Sequence, residues 1–137
     1  MTSLYANAYS TRVGLVTFST NAQNRFFLGS FQNLAEITQA IQSVTISVGQ
    51  LHLILTISQI YQHNRKFLRE FLIFSGLTNT QEALTLMRTQ QFQESNGDRP
   101  NVANVALLVT DGQSTQNPEN TIPAATQAKN AGIIIFT

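Results

Sequence analysis

The sequence predicts an α/β fold, a doubly wound and mostly parallel sheet flanked by helices, on three observations. Residues 12–19, 102–110 and 133–137 are apolar almost without a break, as in strands buried on both faces. Segments with helical periodicity and capping residues lie between them, at 34–44, 78–91 and 121–130. Strand and helix therefore alternate, the order expected of a parallel layered α/β domain.

Residues 1–10 read as the tail of a helix. Arg12 to Ser19 is a buried strand, Asn21 to Asn24 a turn, and Arg25 to Leu28 a second short strand, so 12–28 forms a hairpin ended by Gly29 and Ser30. Asn33 is placed to cap a helix whose apolar positions Leu34, Ile37, Ile41 and Val44 share one face. Thr78-Asn-Thr-Gln81 has the form of a capping box ahead of a helix running to about Gln91. Ser95 to Pro100 is a loop, 102–110 a strand, and 111–120 a loop. Thr121 caps a helix with Pro123 in its first turn, where a missing N–H is harmless. Gly132 stands just past its end, ahead of the strand 133–137. That last strand is apolar and nothing polar follows it, so the domain is expected to be cut short at its C-terminus.

Residues 48–75 break the pattern. Leu51 to Tyr61 is apolar with no clear period. Gln62 to Phe74 joins a basic cluster (Arg65, Lys66, Arg69) to an apolar tail. As a helix, 64–74 would align Phe67, Phe71 and Phe74, either to pack on the body or to meet a membrane surface or partner.

Composition narrows the function. The 137 residues suit one domain with a real core, since 42% are apolar and nine are Phe. Charged residues are only 11%, and the net charge of +1 offers nothing general to nucleic acid or acidic lipid. Absence of cysteine excludes disulfides and thiolate zinc sites. The N-terminus is not a signal peptide, no apolar run is long enough to span a membrane, and no N-glycosylation sequon occurs. No phosphate loop, Gly-x-Ser-x-Gly elbow or His-Glu-x-x-His motif is present, so no catalytic set appears.

Asp111 is one of two aspartates. It stands where the strand 102–110 emerges, ahead of Gly112. Ligands of open α/β sheets bind outside the carboxyl ends of the strands. A carboxylate there suits a hard cation, although Asp-Gly is also a common turn pair. Thr78 is either a helix cap or an oxygen ligand. Thr80 and Ser114 read as loop hydrogen-bonders, Glu82 and Glu119 as solvated helix residues, and Phe18, Phe26, Phe27 and Phe31 as core or hairpin aromatics. His52 and His63 stand eleven apart without acidic neighbours, which argues against a metal or catalytic role.

Three stretches together resemble the von Willebrand factor type A domain: Arg12-Val-Gly-Leu-Val-Thr-Phe-Ser19, Gly76-Leu-Thr-Asn-Thr-Gln-Glu-Ala-Leu84 and Val105-Ala-Leu-Leu-Val-Thr-Asp-Gly-Gln-Ser114. Ala131 to Thr137 fits the strand that follows. The flavour is that of matrix and adhesive members such as collagen VI and matrilin domains. The resemblance covers 1–47 and 76–137. It implies a non-enzymatic adhesion module, extracellular as part of a larger protein. Its ligand would be a matrix or cell-surface protein such as a collagen. Binding would run through Mg2+ held in part by Thr78 and Asp111, with one position open to an acidic group of the partner.

The sequence departs from that family in three ways. The family's Asp-x-Ser-x-Ser motif, which follows its first strand, is missing, so the metal site is incomplete. The last helices and strand are missing. Residues 48–75 have no counterpart and read as an insertion within a single partial domain spanning 1–137, either a genuine loop or translated intron. Without the first strand, the strand at 102–110 is expected to lack a neighbour, leaving the chain marginally stable. Two alternatives remain, a structural or assembly module of the same fold without a working metal site, and an intracellular nucleotide-binding α/β enzyme fragment whose glycine-rich turn would precede Met1.

Overall fold

The computed structural model describes residues 11–44, 52–58, 77–110 and 112–137, with 52–58 described by backbone alone. The expected helices at 1–10 and 64–74 therefore lie outside the described residues. Strands β1 (Arg12–Phe18), β2 (Ala22–Phe26), β3 (His52–Ser58), β4 (Asn104–Val109) and β5 (Ile133–Phe136) form one sheet in the order β2-β1-β3-β4-β5. Helices α1 (Leu34–Gln42), α2 (Thr80–Leu86) and α3 (Thr121–Asn130) pack on it.

Alternation along the strands sorts the core into two layers. Val16 and Phe18 of β1, with Ala106 and Leu108 of β4, join Ala83, Leu84 and Met87 of the α2 region and Ala124 and Ala128 of α3. The intervening residues Val13, Leu15, Leu107 and Val109 turn to the other face, with Phe26 and with Ile37 and Ile41 of α1. Ala83, Ala124 and Ala128 are at most 6% exposed, and small residues there let α2 and α3 approach closely on one face. Phe31 stands edge-on to Phe26, with ring centroids 5.1 Å apart.

Most elements follow from their own residues. Asn33 caps α1 by accepting the Glu36 N–H at 3.0 Å, while the Glu36 carboxylate accepts the Gln32 N–H at 3.0 Å. Pro123 lies in the first turn of α3, and Gly132 takes φ 84° beyond its end. Other elements differ from expectation. β2 begins three residues earlier than its hydrophobic residues suggest, because the polar stretch Ala22-Gln-Asn-Arg25 is tolerated on an outer strand. The helix expected through Gln91 is α-helical only to Leu86, then widens into a π turn over Met87–Gln91. That widening accompanies a fully buried Gln91, whose amide donates to the Asn24 side chain at 2.8 Å and to the Phe26 carbonyl at 3.0 Å. Gln91 thereby ties β2 to the helix layer.

The largest difference is β3. It lies within 48–75, where the sequence offered no assigned element, yet it occupies the centre of the sheet. It runs antiparallel to β1 and to β4, so β1, β4 and β5 share one direction and only β4–β5 pair directly in parallel. The mostly parallel pairing expected from alternation thus holds for strand direction in β1, β4 and β5, and gives way where β3 intervenes. It also corrects the expectation that the strand at 102–110 lacks a neighbour, since β4 is paired on both sides.

Candidate functional site

β1 and β4 end at the same end of the sheet with β3 between them, and three loops meet at that carboxyl end. The loop entering α2 is the best fixed. The Asn79 N–H donates to the Ser19 carbonyl at 2.8 Å, and its side-chain amide donates to the Thr20 carbonyl at 3.1 Å. The same side chain caps α2, accepting the Glu82 N–H at 3.2 Å and donating to the Glu82 carboxylate at 2.8 Å. The cap is therefore Asn79, one residue later than the capping-box reading placed it. Glu82 serves that cap instead of being a merely solvated residue.

Thr78 sits beneath this loop at 3% exposure. Its N–H donates to the Thr115 hydroxyl at 2.8 Å. Its carbonyl accepts from the Thr115 N–H at 2.9 Å, the Gln116 N–H at 3.1 Å and the Ser114 hydroxyl at 2.9 Å. The single Ser114 hydroxyl proton also faces the Gln116 carbonyl at 2.9 Å, and the Thr80 N–H approaches the Ser114 hydroxyl oxygen at 3.4 Å. Ser114 and Thr80 are thus the loop hydrogen-bonders they were expected to be. This clamp fastens the Thr78 loop to the segment that follows β4. Asp111, the other sequence-chosen ligand, lies outside the described residues, so the pair is located by its loops. Among the described residues no group of three His, Cys, Asp or Glu is assembled to hold a metal.

Two features escaped the sequence reading. Thr115 was not singled out, because a hydroxyl that accepts a distant N–H leaves no pattern in a single sequence. His52 was set aside for want of acidic neighbours along the chain. The β-ladder places it opposite Phe18, at the same end of the sheet as Thr78. Its signal was the strand-length apolar run behind it, Leu53 to Ile57. His63 lies outside the described residues.

The opposite end of the sheet is built from Arg12 and residues 97–104. The Arg12 guanidinium donates to the Gly97 carbonyl, and the Asn104 amide donates to the Asp98 carboxylate at 3.2 Å. Burial, and then the nearby Arg12 charge, lower the pKa of Arg99 against the opposing pull of Asp98.

Comparison with known proteins agrees with this architecture. The model of the von Willebrand factor type A domain matches residues 1–70 and 55–137. Human integrin alpha-10 is 27% identical over 94% of the chain, which spans 9% of that protein. Chicken matrilin-1 is 28% identical over 93% of the chain and human matrilin-4 is 30% identical over 92%, the chain spanning 20% and 16% of them. The chain therefore corresponds to a fifth or less of these relatives. Among solved structures, proximal thread matrix protein 1 from the mussel byssus, with a zinc-occupied MIDAS motif, superposes with a TM-score of 0.68 at 21% identity. It covers 99% of this chain and 28% of its own.

Proposed function

The chain belongs to the von Willebrand factor type A domain family, and on that premise we propose that it is a non-enzymatic protein-binding module of an extracellular matrix or cell-surface protein. The company of matrilins, an integrin alpha chain and a byssus matrix protein supports that setting. No helix among the described residues is long and apolar enough to cross a membrane. In this reading 1–137 is one partial domain, and 48–75 is an insertion that contributes β3.

Ligand binding is assigned to the carboxyl end of the sheet. The observation that carries the assignment is the clamp on Thr78, which fastens one candidate loop to the segment just after Asp111. Thr78 and Asp111 offer a hydroxyl and a carboxylate, hard oxygen donors of the kind Mg2+ accepts while keeping several waters. A bound Mg2+ would supply positive charge to hold an acidic group of the partner, and a collagen is the partner class proposed. Asn79, Ser114 and Thr115 would keep the Thr78 loop in place whether or not metal is bound. No Asp-x-Ser-x-Ser motif occurs within residues 1–137, so these residues by themselves are expected to bind the metal weakly.

The test is binding of the chain to immobilised collagen in Mg2+ and in EDTA, with Thr78→Ala and Asp111→Asn. Binding that EDTA abolishes and each substitution weakens at least tenfold is the expected outcome. Binding indifferent to EDTA and to both substitutions would favour a second reading, an assembly module of the same fold without a working metal site. The observation favouring that second reading is β3, which fills the sheet centre without bringing an Asp-x-Ser-x-Ser motif.

A further inference from the structure

We propose that Asn96-Gly97 is a site of spontaneous deamidation that the fold holds shut, its rate set by opening of the junction between Gly97 and Gly29. It stands at the opposite end of the sheet from the Thr78 loop and does not depend on the reading of that crevice.

Asn96-Gly97 is the single Asn-Gly pair in the chain. In the reaction the Gly97 amide nitrogen loses its proton to water and attacks Asn96 Cγ. The bond from Cγ to Nδ2 breaks, that nitrogen leaves as ammonia, and a succinimide ring closes. Water then opens the ring at either carbonyl, leaving aspartate or isoaspartate at position 96. A side chain on the following residue would crowd the attacking nitrogen, and glycine has none. Here the fold itself demands glycine, because Gly97 takes φ +98° and a Cβ would collide with the backbone of Gly29. An asparagine before it therefore makes the reactive pair.

In the folded chain both reacting groups are engaged. The Gly97 N–H donates to the Glu94 carbonyl at 3.1 Å, and the Asn96 side-chain amide donates to the Gln90 carbonyl at 2.7 Å. The flanking N–H groups of Asn96 and Asp98 both donate to the Gln93 carbonyl, at 2.9 and 3.0 Å. From the facing turn the Gly29 N–H donates to the Asn96 carbonyl at 3.0 Å, and the Arg12 guanidinium donates to the Gly97 carbonyl. Attack requires several of these bonds to break together, so the rate follows the fraction of time the junction is open. The product then keeps it open. Isoaspartate routes the main chain through Cβ and lengthens it where the two backbones already touch. Either product sets a carboxylate against the Gln90 carbonyl, two acceptors with no proton between them.

The test is peptide mapping by mass spectrometry of the whole chain, aged at neutral pH and body temperature, folded and in urea. Two variants are aged beside it. Gly29→Val pushes on the Gly97 Cα, which a Cβ at position 29 already approaches to 3.3 Å, and leaves the reacting pair unchanged. Gly29→Ala replaces it if valine prevents folding. Ile41→Ala weakens the core on the α1 side of the sheet instead. The variants are compared at urea concentrations that give them equal global stability. Deamidation at position 96 is expected to be at least about tenfold slower in the folded chain than in the unfolded one. The Gly29 variant should react several-fold faster than Ile41→Ala. The isoaspartate form, once refolded, should melt below the unreacted chain. Equal rates folded and unfolded would show that the fold gives no protection. Equal rates in the two variants would place the reaction in the globally unfolded chain and overturn the junction as its gate. An isoaspartate form with an unchanged melt would overturn the claim that the product holds the junction open.

Discussion

Gly97 is the position where one atom decides most. It takes φ +98°, and a Cβ built there would stand 2.2 Å from the Gly29 nitrogen and 2.5 Å from its Cα. Both neighbours are backbone, so neither can move aside cheaply. The Gly29 N–H also donates to the Asn96 carbonyl at 3.0 Å, which pins the two turns together. Gly97→Ala is expected to destabilise the chain by about 2–4 kcal/mol, combining left-handed strain with overpacking. Gly112, where a Cβ meets nothing within 4 Å, is the matched control. Thermal melts of both variants check this, and equal midpoints would refute it. Residue identity was only partly legible in advance. Asn33 was read as a cap because one favourable residue preceded a periodic run. At Thr78-Asn-Thr80 three cap-competent residues stand in a row, and the choice of Asn79 depends on carbonyls at Ser19 and Thr20 that only the fold supplies.

At the scale of elements, β1, β4, α1 and α3 were visible in the chain because each carries its period or its punctuation with it. β3 was not. Leu53-Ile-Leu-Thr-Ile57 has strand length and branched residues, but an apolar run without period does not distinguish strand from helix until its partners are known. Those partners are remote, and their fit is specific: Thr56 pairs with Gly14 on one side and with Ala106 on the other. A proline there would remove a ladder N–H from a strand hydrogen-bonded on both sides. Thr56→Pro is expected to lower stability by about 1–3 kcal/mol, the cost of leaving a buried ladder carbonyl without its donor, read as a shift in the urea midpoint. An unchanged midpoint would mean that β3 is not part of the working sheet.

The whole molecule depends on that borrowed centre. With β3 in place β1 and β4 share a neighbour, and both helix layers have a continuous sheet to cover. The intact chain is therefore expected to melt in one cooperative transition, and a chain lacking 48–75 to show none. A deletion variant that melts as sharply as the intact chain would instead support residues 48–75 as a passive insertion. Ile134 and Phe136 on β5 are 49% and 53% exposed, on the strand farthest from the β1–β2 hairpin.

The register of β3 also sets how much of the chain must be synthesised before the sheet can be completed. Its first pairing joins residue 18 to residue 52, and its second joins 53 to 109. The β1–β2 hairpin can close as soon as it emerges, but the centre must await a return from far along the chain, which makes folding slow for this size. Until residue 109 is synthesised, a nascent sheet of three strands carries, besides the outer edge of β2, a second bare edge along β3 itself. That interval is when a chaperone, or a neighbouring nascent chain, has its opening.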